Sequence, residues 1–385
     1  MTDIKIVSGL NYGDEGKGLV ANYVSTPNSL TVMASNSCQR GHTVVENGIR
    51  KVFRHFGSAT LKGAATYFSK EFMANPAMFR KEYEELEAMG IINPKVYCRE
   101  GVFLITPMDM MGNVEAERQR GKNSWSSTGC GVWAAMQRGK VCSIGVGHPL
   151  SYSNGGLIKD YYIQTLYGQF NRLSDMAREF YYGPRLIDHF HEDLQFLLDH
   201  ITIIHNDKEE EELLRSFPLI VFENSQGLLL DDRYSRDILH NTPAYVGCRA
   251  PADVIVQNFS PKEVDIEALY VTRTYFTRHG KGEIGFDGEC DKAEINPNMI
   301  DKTNVPNPHQ GTLRYGKIGE SDAKWLDIRA SWDIQDLVLR KHNVKTGIVV
   351  THTNEYENDI LINQIKKSPH KLYVSDNEYS FKEGE

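Results

Sequence analysis

"GLNYGDEGKG", residues 9–18, follows the apolar run "IKIV" and opens a stretch that reads as a helix. A glycine-rich turn between a strand and a helix start suits phosphate. Gly13, Gly16 and Gly18 permit left-handed backbone and close approach, and N–H groups at a helix N-terminus attract anions. Lys17 adds a point charge. The turn still departs from a standard phosphate loop, GxxxxGK[ST]. Counting back from Gly16 and Lys17 puts Asn11 where the first glycine belongs, and Gly18 stands where the Mg²⁺-binding hydroxyl belongs. Two acids, Asp14 and Glu15, lie where a phosphate is expected. An acid there can hold Mg²⁺ or move a proton. The alternative is a tight strand–helix turn with an acidic N-terminal cap.

Outward from this loop, strand-like runs alternate with helical patterns. "SLTVMAS", "GVFLIT", "LIVFE", "ALYVTRTYF" and "TGIVVTHT" read as strands, and "MFRKEYEELEAMG" and "YYIQTLYGQFNRLSDMAREFYYG" as helices. Such alternation predicts an α/β protein with a large, mostly parallel central sheet and flanking helices. Ligands gather at the carboxyl ends of such strands. "NYGDEGKG", "NSCQRGH", "ENSQG", "TRHGKGE" and "HTNEYEN" all fall there, so one large site built from distant segments is expected. The acidic run "KEEEELL" reads as a solvated helix face. No internal repeat or linker divides the chain, and residues 1–385 read as one domain with long inserted loops and helical subregions.

The composition is that of an ordinary soluble protein: 385 residues, 40% hydrophobic, 24% charged, formal charge -8. The acidic balance argues against a nucleic-acid or membrane surface. No apolar run is long enough to span a bilayer and the N-terminus lacks a signal-peptide pattern, so a cytoplasmic protein is expected. The six cysteines form no CxxC pair and read as reduced, mostly buried thiols.

"GDEGKG" followed by "RGHTVVENG" resembles the adenylosuccinate synthetase family, which reads GDEGKG and then NAGHTV at the same spacing. "FRHFGSA", "SSTGCG", "FENSQGLLLD" and "YFTRHGKGE" resemble further family segments in the same order, the last two matching FEGAQGxxLD and YxTRVGxGPxP. The resemblance implies a P-loop-related fold. It also implies a ligase that joins a purine 6-oxo nucleotide to L-aspartate, driven by GTP or ATP with Mg²⁺. Transfer of the γ-phosphoryl group to O6 makes a leaving group, which the amine of aspartate displaces. By resemblance Asp14 is the base that takes the N1 proton, and with the Gly41 carbonyl it holds Mg²⁺. His42 stabilises the transferring phosphoryl group, Lys17 holds the γ-phosphate, and Gln226 completes the catalytic set. The triphosphate falls on Gly13, Glu15, Gly16, Lys17, Gly18, His42 and Thr43, with His352 and Asn354 at its base. The acceptor nucleotide falls on Asn11, Thr128, Gln226, Thr242 and Arg278. Arg138 matches an arginine donated across a dimer interface, which implies a homodimer. Thr312 and Arg314 are the candidates for aspartate.

Two departures bear on specificity. Where the family reads Thr-Lys-x-Asp, this chain has His352 and Asn354, so the carboxylate that reads guanine on the donor is an amide and ATP comes into range. A viral branch that aminates dGMP also loses that carboxylate, but many of its members replace the catalytic aspartate by serine. Asp14 is retained, which favours IMP as acceptor, with GMP or dGMP the alternative. A reading of another class is a catalytically inactive nucleotide sensor.

Overall fold

The computed structural model describes residues 1–139, 145–147, 184–233, 235, 237, 240–242, 244–300 and 310–384. Its strands, in chain order, are β1 (Thr2–Gly9), β2 (Ser29–Ser37), β3 (His42–Glu46), β4 (Ile49–Phe53), β5 (Ala65–Ala74), β6 (Val96–Arg99), β7 (Phe103–Leu104), β8 (Thr202–Ile204), β9 (Leu219–Gly227), β10 (Val264–Arg273), β11 (Tyr275–Arg278), β12 (Arg314–Lys317), β13 (Val344–Thr351), β14 (Lys371–Val374) and β15 (Lys382–Glu383). Eleven of these form one sheet in the order β15-β14-β13-β10-β1-β9-β2-β5-β6-β8, with β7 beside β5. Every neighbouring pair is parallel except β14–β15.

The apolar runs are continuous because both faces of the sheet are covered. Along β1, Ile4 and Ile6 enter one core while Val7 enters another on the opposite face. Ile220 and Phe222 against Val221 in β9, and Ile348 and Val350 against Val349 in β13, repeat the alternation. Helix α1 (Lys17–Val24) packs Leu19, Val20 and Ala21 onto the Val7 face. Two small antiparallel ribbons stand off the sheet, β3–β4 and β11–β12. The first presents His42 and Thr43; the second pairs Arg278 with Arg314.

The predicted helix in "MFRKEYEELEAMG" is α2 (Pro76–Ala88), capped by the Asn75 side chain, which accepts from the Met78 N–H. "GVFLIT" pairs over Phe103–Leu104 alone. "KEEEELL" lies in the helix Asp207–Arg215, but that helix is not solvated all round. Leu213 and Leu214 are buried, and Glu210 is buried too and accepts from the Tyr67 hydroxyl at 2.6 Å. The helix expected over residues 161–183, and Cys142, lie outside the described residues. Among the described residues no helix is long and apolar enough to cross a membrane.

Candidate active site

The loop between β1 and α1 answers why it carries two acids. Glu15 is fully buried. Its Oε1 accepts from the backbone N–H groups of Asn11 (3.1 Å) and Gly13 (2.8 Å), and its Oε2 accepts from Lys17 Nζ (2.5 Å). The loop is therefore folded around its own anion. Close approach forces glycine nearby: a Cβ on Gly227 would lie 2.3 Å from the Asn11 carbonyl oxygen and 2.4 Å from Glu15 Oε1. Thr351, the last residue of β13, donates its hydroxyl to the Glu15 carbonyl at 2.7 Å. Asp14 does the opposite of Glu15. Its carbonyl is held by Arg273 Nε at 2.6 Å, while its carboxylate lines the open cavity, 3.3 Å from His279 Nε2.

That cavity, of about 300 Å³, runs along the carboxyl edge of the sheet. Following strand order, it passes Gln226 on β9, the β1 loop, Arg273 at the end of β10, His352 and Asn354 after β13, and Asn377 and Glu378 after β14. Three of its non-glycine residues, Asp14, Gln226 and His352, have left-handed backbone with φ of 61°. Each such residue costs about 1–3 kcal/mol, and that strain collects at one site. A second cavity of about 230 Å³ adjoins the first. The two share Gln39, Gln226, Leu230, His279 and Gln310.

His42 reaches the cavity from β3 with its ring fixed from behind. Its Nδ1–H donates to the Glu223 carboxylate, which also accepts from the Ser58 N–H (2.9 Å) and hydroxyl (2.5 Å) and lies 3.3 Å from Arg40 Nη1. Burial pushes the His42 imidazole down to about 4, outweighing the pull of Glu223. Burial would raise Glu223, but Arg40, His42 and Ser58 outweigh it and hold the carboxyl at about 2. The ring is thus neutral at pH 7, with Nε2 left to meet a ligand. A stability signature follows. Between its ordinary value of 6.5 and about 4, the unfolded chain takes up a proton that folded His42 refuses. Stability therefore falls as pH drops through that window, by on the order of 3 kcal/mol from this group. Glu223 adds stability that is full above 4.5 and is lost towards 2. Denaturant unfolding across pH 7 to 4 measures the slope. His42→Asn is expected to flatten it, and an unchanged slope contradicts a ring held neutral by burial.

Of the residues singled out from sequence, Gly13, Asp14, Glu15, Gly16, Lys17, Gly18, Gly41, His42, Thr43, Thr128, Gln226, His352 and Asn354 meet in the first cavity. Thr242 and Arg278 line the second. Arg278 is buried, donates to the carbonyls of Glu283 and His240, and lies over the Tyr12 ring. Four others stand apart. Asn11 is buried and its Oδ1 accepts from the Thr272 hydroxyl at 3.0 Å. Arg138 is buried, with Nε and Nη2 on the Asp109 carboxylate and Nη2 also on the Leu104 carbonyl. Arg314 is taken up by Glu289 and the carbonyls of Gly280 and Gly282. Thr312 is exposed and lines neither cavity. Glu223, Arg40 and Arg273 were missed; an acid closing the apolar run "LIVF" was the available sign of Glu223.

The donor set suits Mg²⁺ of the kind that takes most of its shell from phosphates and water. Asp14 turns one carboxylate into the cavity, Gly41 is an exposed residue on its wall, and Glu15 is already spent on the loop. Among the described residues no group of three or more metal-binding side chains forms a self-sufficient cage.

A sequence model described as adenylosuccinate synthetase matches residues 6–376. The chain is 26% identical over 301 residues to the adenylosuccinate synthetase of Saccharophagus degradans, covering 74% of this chain and 65% of that one. It is 25% identical over 293 residues to that of Paraburkholderia phymatum, covering 72% and 61%. The chain thus spans less than two thirds of the length of either relative. Two solved structures share the fold. One is a cyanophage S-2L succinoaminodeoxyadenylate synthetase (PurZ), described as bound to dGMP and dATP, with TM-score 0.66, 14% identity and coverage of 100% and 95%. The other is a fully ligated adenylosuccinate synthetase from Plasmodium falciparum, with TM-score 0.65, 16% identity and coverage of 91% and 77%.

Proposed function

The chain belongs to the adenylosuccinate synthetase family, and we propose that it is a ligase joining a 6-oxopurine nucleotide, IMP first, to L-aspartate at the expense of a nucleoside triphosphate. The observation that carries this reading is the division of labour between Asp14 and Glu15. One carboxylate is sealed into the loop, and the other is held on strained backbone facing the cavity beside Lys17 and His42.

Asp14 takes the proton from purine N1 as O6 attacks the γ-phosphorus, which a carboxylate at that edge does as a general base. Lys17 and the N–H groups at the start of α1 draw the phosphates in. His42 presents Nε2 to the transferring group with Glu223 fixing the ring, and Nε2 takes up a proton as phosphate charge arrives, because only a protonated Nε2 donates to a phosphoryl oxygen. Asp14 and the Gly41 carbonyl would hold Mg²⁺, which when bound would neutralise phosphate charge. Gln226, at the junction of the two cavities, positions the purine. The aspartate amine then displaces phosphate at C6.

A second reading, dGMP or GMP as acceptor, draws on the near-complete mutual coverage with the cyanophage chain, whose described ligands are dGMP and dATP. Mass spectrometry of products from IMP, GMP and dGMP, each with aspartate, Mg²⁺ and ATP or GTP, separates the two. Product from IMP alone supports the first reading, and product from dGMP alone replaces it with the second. No succinylated nucleotide from any acceptor overturns both.

Asn354 sits exposed at the far end of the cavity, after His352. A carboxylate there would accept from both guanine N1–H and N2–H₂, whereas an amide accepts through its oxygen alone. At an exposed position water can pair the donor left over, so the loss lies at the low end of the cost of an unpaired group, about 1 kcal/mol or roughly 5-fold in affinity. ATP is therefore used at least as well as GTP, and Asn354→Asp shifts preference towards GTP. Comparing kcat/KM for both donors in both proteins checks this, and a strong wild-type preference for GTP contradicts it.

A further inference from the structure

The second cavity contains a cation that the functional reading has not used. Lys281 lies on the loop after β11, in "TRHGKGE", where the family pattern TRVGxGP leaves an unspecified residue. Its Nζ is pinned by three neutral oxygens: the Lys122 carbonyl at 2.6 Å, the Ser124 hydroxyl at 3.0 Å and the Ser124 carbonyl at 3.3 Å. Its backbone N–H donates to Ser126 Oγ at 3.2 Å. The two loops dock so closely that a Cβ on Gly280 would lie 2.6 Å from that of Ser126. No carboxylate among the described residues cancels the charge, but the three oxygens take up all three N–H donors, so a phosphate binds by displacing at least one of them. Other cations are engaged by the protein, among them Arg278 in this same cavity, which donates to the carbonyls of Glu283 and His240. Arg138 is paired with Asp109, Arg314 with Glu289, and Arg120, on the wall of this cavity, with Glu117.

The place of Lys281 along the site indicates its anion. The reacting edge of the acceptor purine must lie against Asp14, in the first cavity. The second cavity leads away from that point past Gln226 and His279 and reaches Ser126, Ser127 and Lys281. A nucleotide with its base at Asp14 therefore carries its 5′-phosphate towards Lys281. We infer that Lys281 is the cation that binds the 5′-phosphate of the acceptor nucleotide from within the same chain, in the role the family resemblance gave to Arg138 of a neighbouring subunit. A lysine serves this purpose as a point charge on a phosphate, without needing a planar fork.

The inference rests on the proposed acceptor site, and binding measurements keep the two apart. The probes are IMP and dGMP, the corresponding nucleosides inosine and deoxyguanosine, and L-aspartate, titrated calorimetrically into the unaltered protein, Lys281→Ala and Lys281→Arg. Lys281→Ala is expected to weaken whichever monophosphate binds by about 10- to 100-fold, while the nucleoside changes by less than about threefold. Lys281→Arg is expected to recover most of the loss. Equal losses for nucleotide and nucleoside would reduce Lys281 to a loop fastener and overturn the inference. So would an unchanged monophosphate affinity, or a loss confined to aspartate. Failure of both monophosphates to bind the unaltered protein would remove the acceptor site itself, and this inference with it.

Discussion

Asp14→Asn is expected to lower turnover by about 10²- to 10⁴-fold, the usual contribution of a general base, while leaving the fold intact. The substitution is nearly isosteric. Asparagine tolerates the left-handed backbone that Asp14 adopts at φ 61°, so the strained turn survives the change. The hold on the loop also survives, because Arg273 grips the Asp14 carbonyl and not its side chain. What is lost is the proton acceptor facing the cavity. The loss should appear in kcat, with binding of the acceptor changed much less, since the amide still fills the place. Near-normal turnover by a folded Asp14→Asn protein would remove Asp14 from the chemistry.

Glu15→Ala is expected to act on the fold and on the donor together. The carboxylate is fully buried and its ion-pair partner Lys17 is nearly so, reaching only the wall of the cavity. Removing one partner of such a pair costs about 3–5 kcal/mol, because the other charge is stranded. The N–H groups of Asn11 and Gly13 lose their acceptor as well. Urea unfolding should show the drop in stability, and equilibrium binding should show donor affinity falling with it as the loop loosens. Glu15→Gln keeps an acceptor for the two N–H groups but not the charge, and should lie between. An Ala variant as stable as the parent, with unchanged donor affinity, would contradict a loop folded around its own anion.

The sheet was readable because its chemistry is local. Runs such as "LIVFE" and "TGIVVTHT" are apolar on both alternating faces, which only a strand covered on both sides requires. Loop positions at the carboxyl ends followed from that, and Asp14, Lys17, His42 and Gln226 meet in one cavity as the motif order implied. Side-chain direction was not readable in the same way. Asp14 and Glu15 are adjacent acids, and only the backbone turn decides which faces the cavity and which is buried. Glu223 and Arg40 come from strands and loops far apart in sequence, and their convergence on His42 depends on β9 lying beside β2. Arg138 and Arg314 were matched by motif position, but Asp109 and Glu289 compete for them locally, and no single-sequence pattern announces that competition.

The most direct test of the central claim follows the oxygen at position 6. Acceptor nucleotide carrying heavy oxygen at C6 is incubated with the protein, aspartate, Mg²⁺ and triphosphate, and the released inorganic phosphate is analysed by mass spectrometry. Attack of O6 on the γ-phosphorus, with Asp14 taking the N1 proton, moves the label wholly into phosphate as the succinylated product appears. Product formed while phosphate stays unlabelled, or triphosphate cleaved with the label still on the purine, would contradict the account.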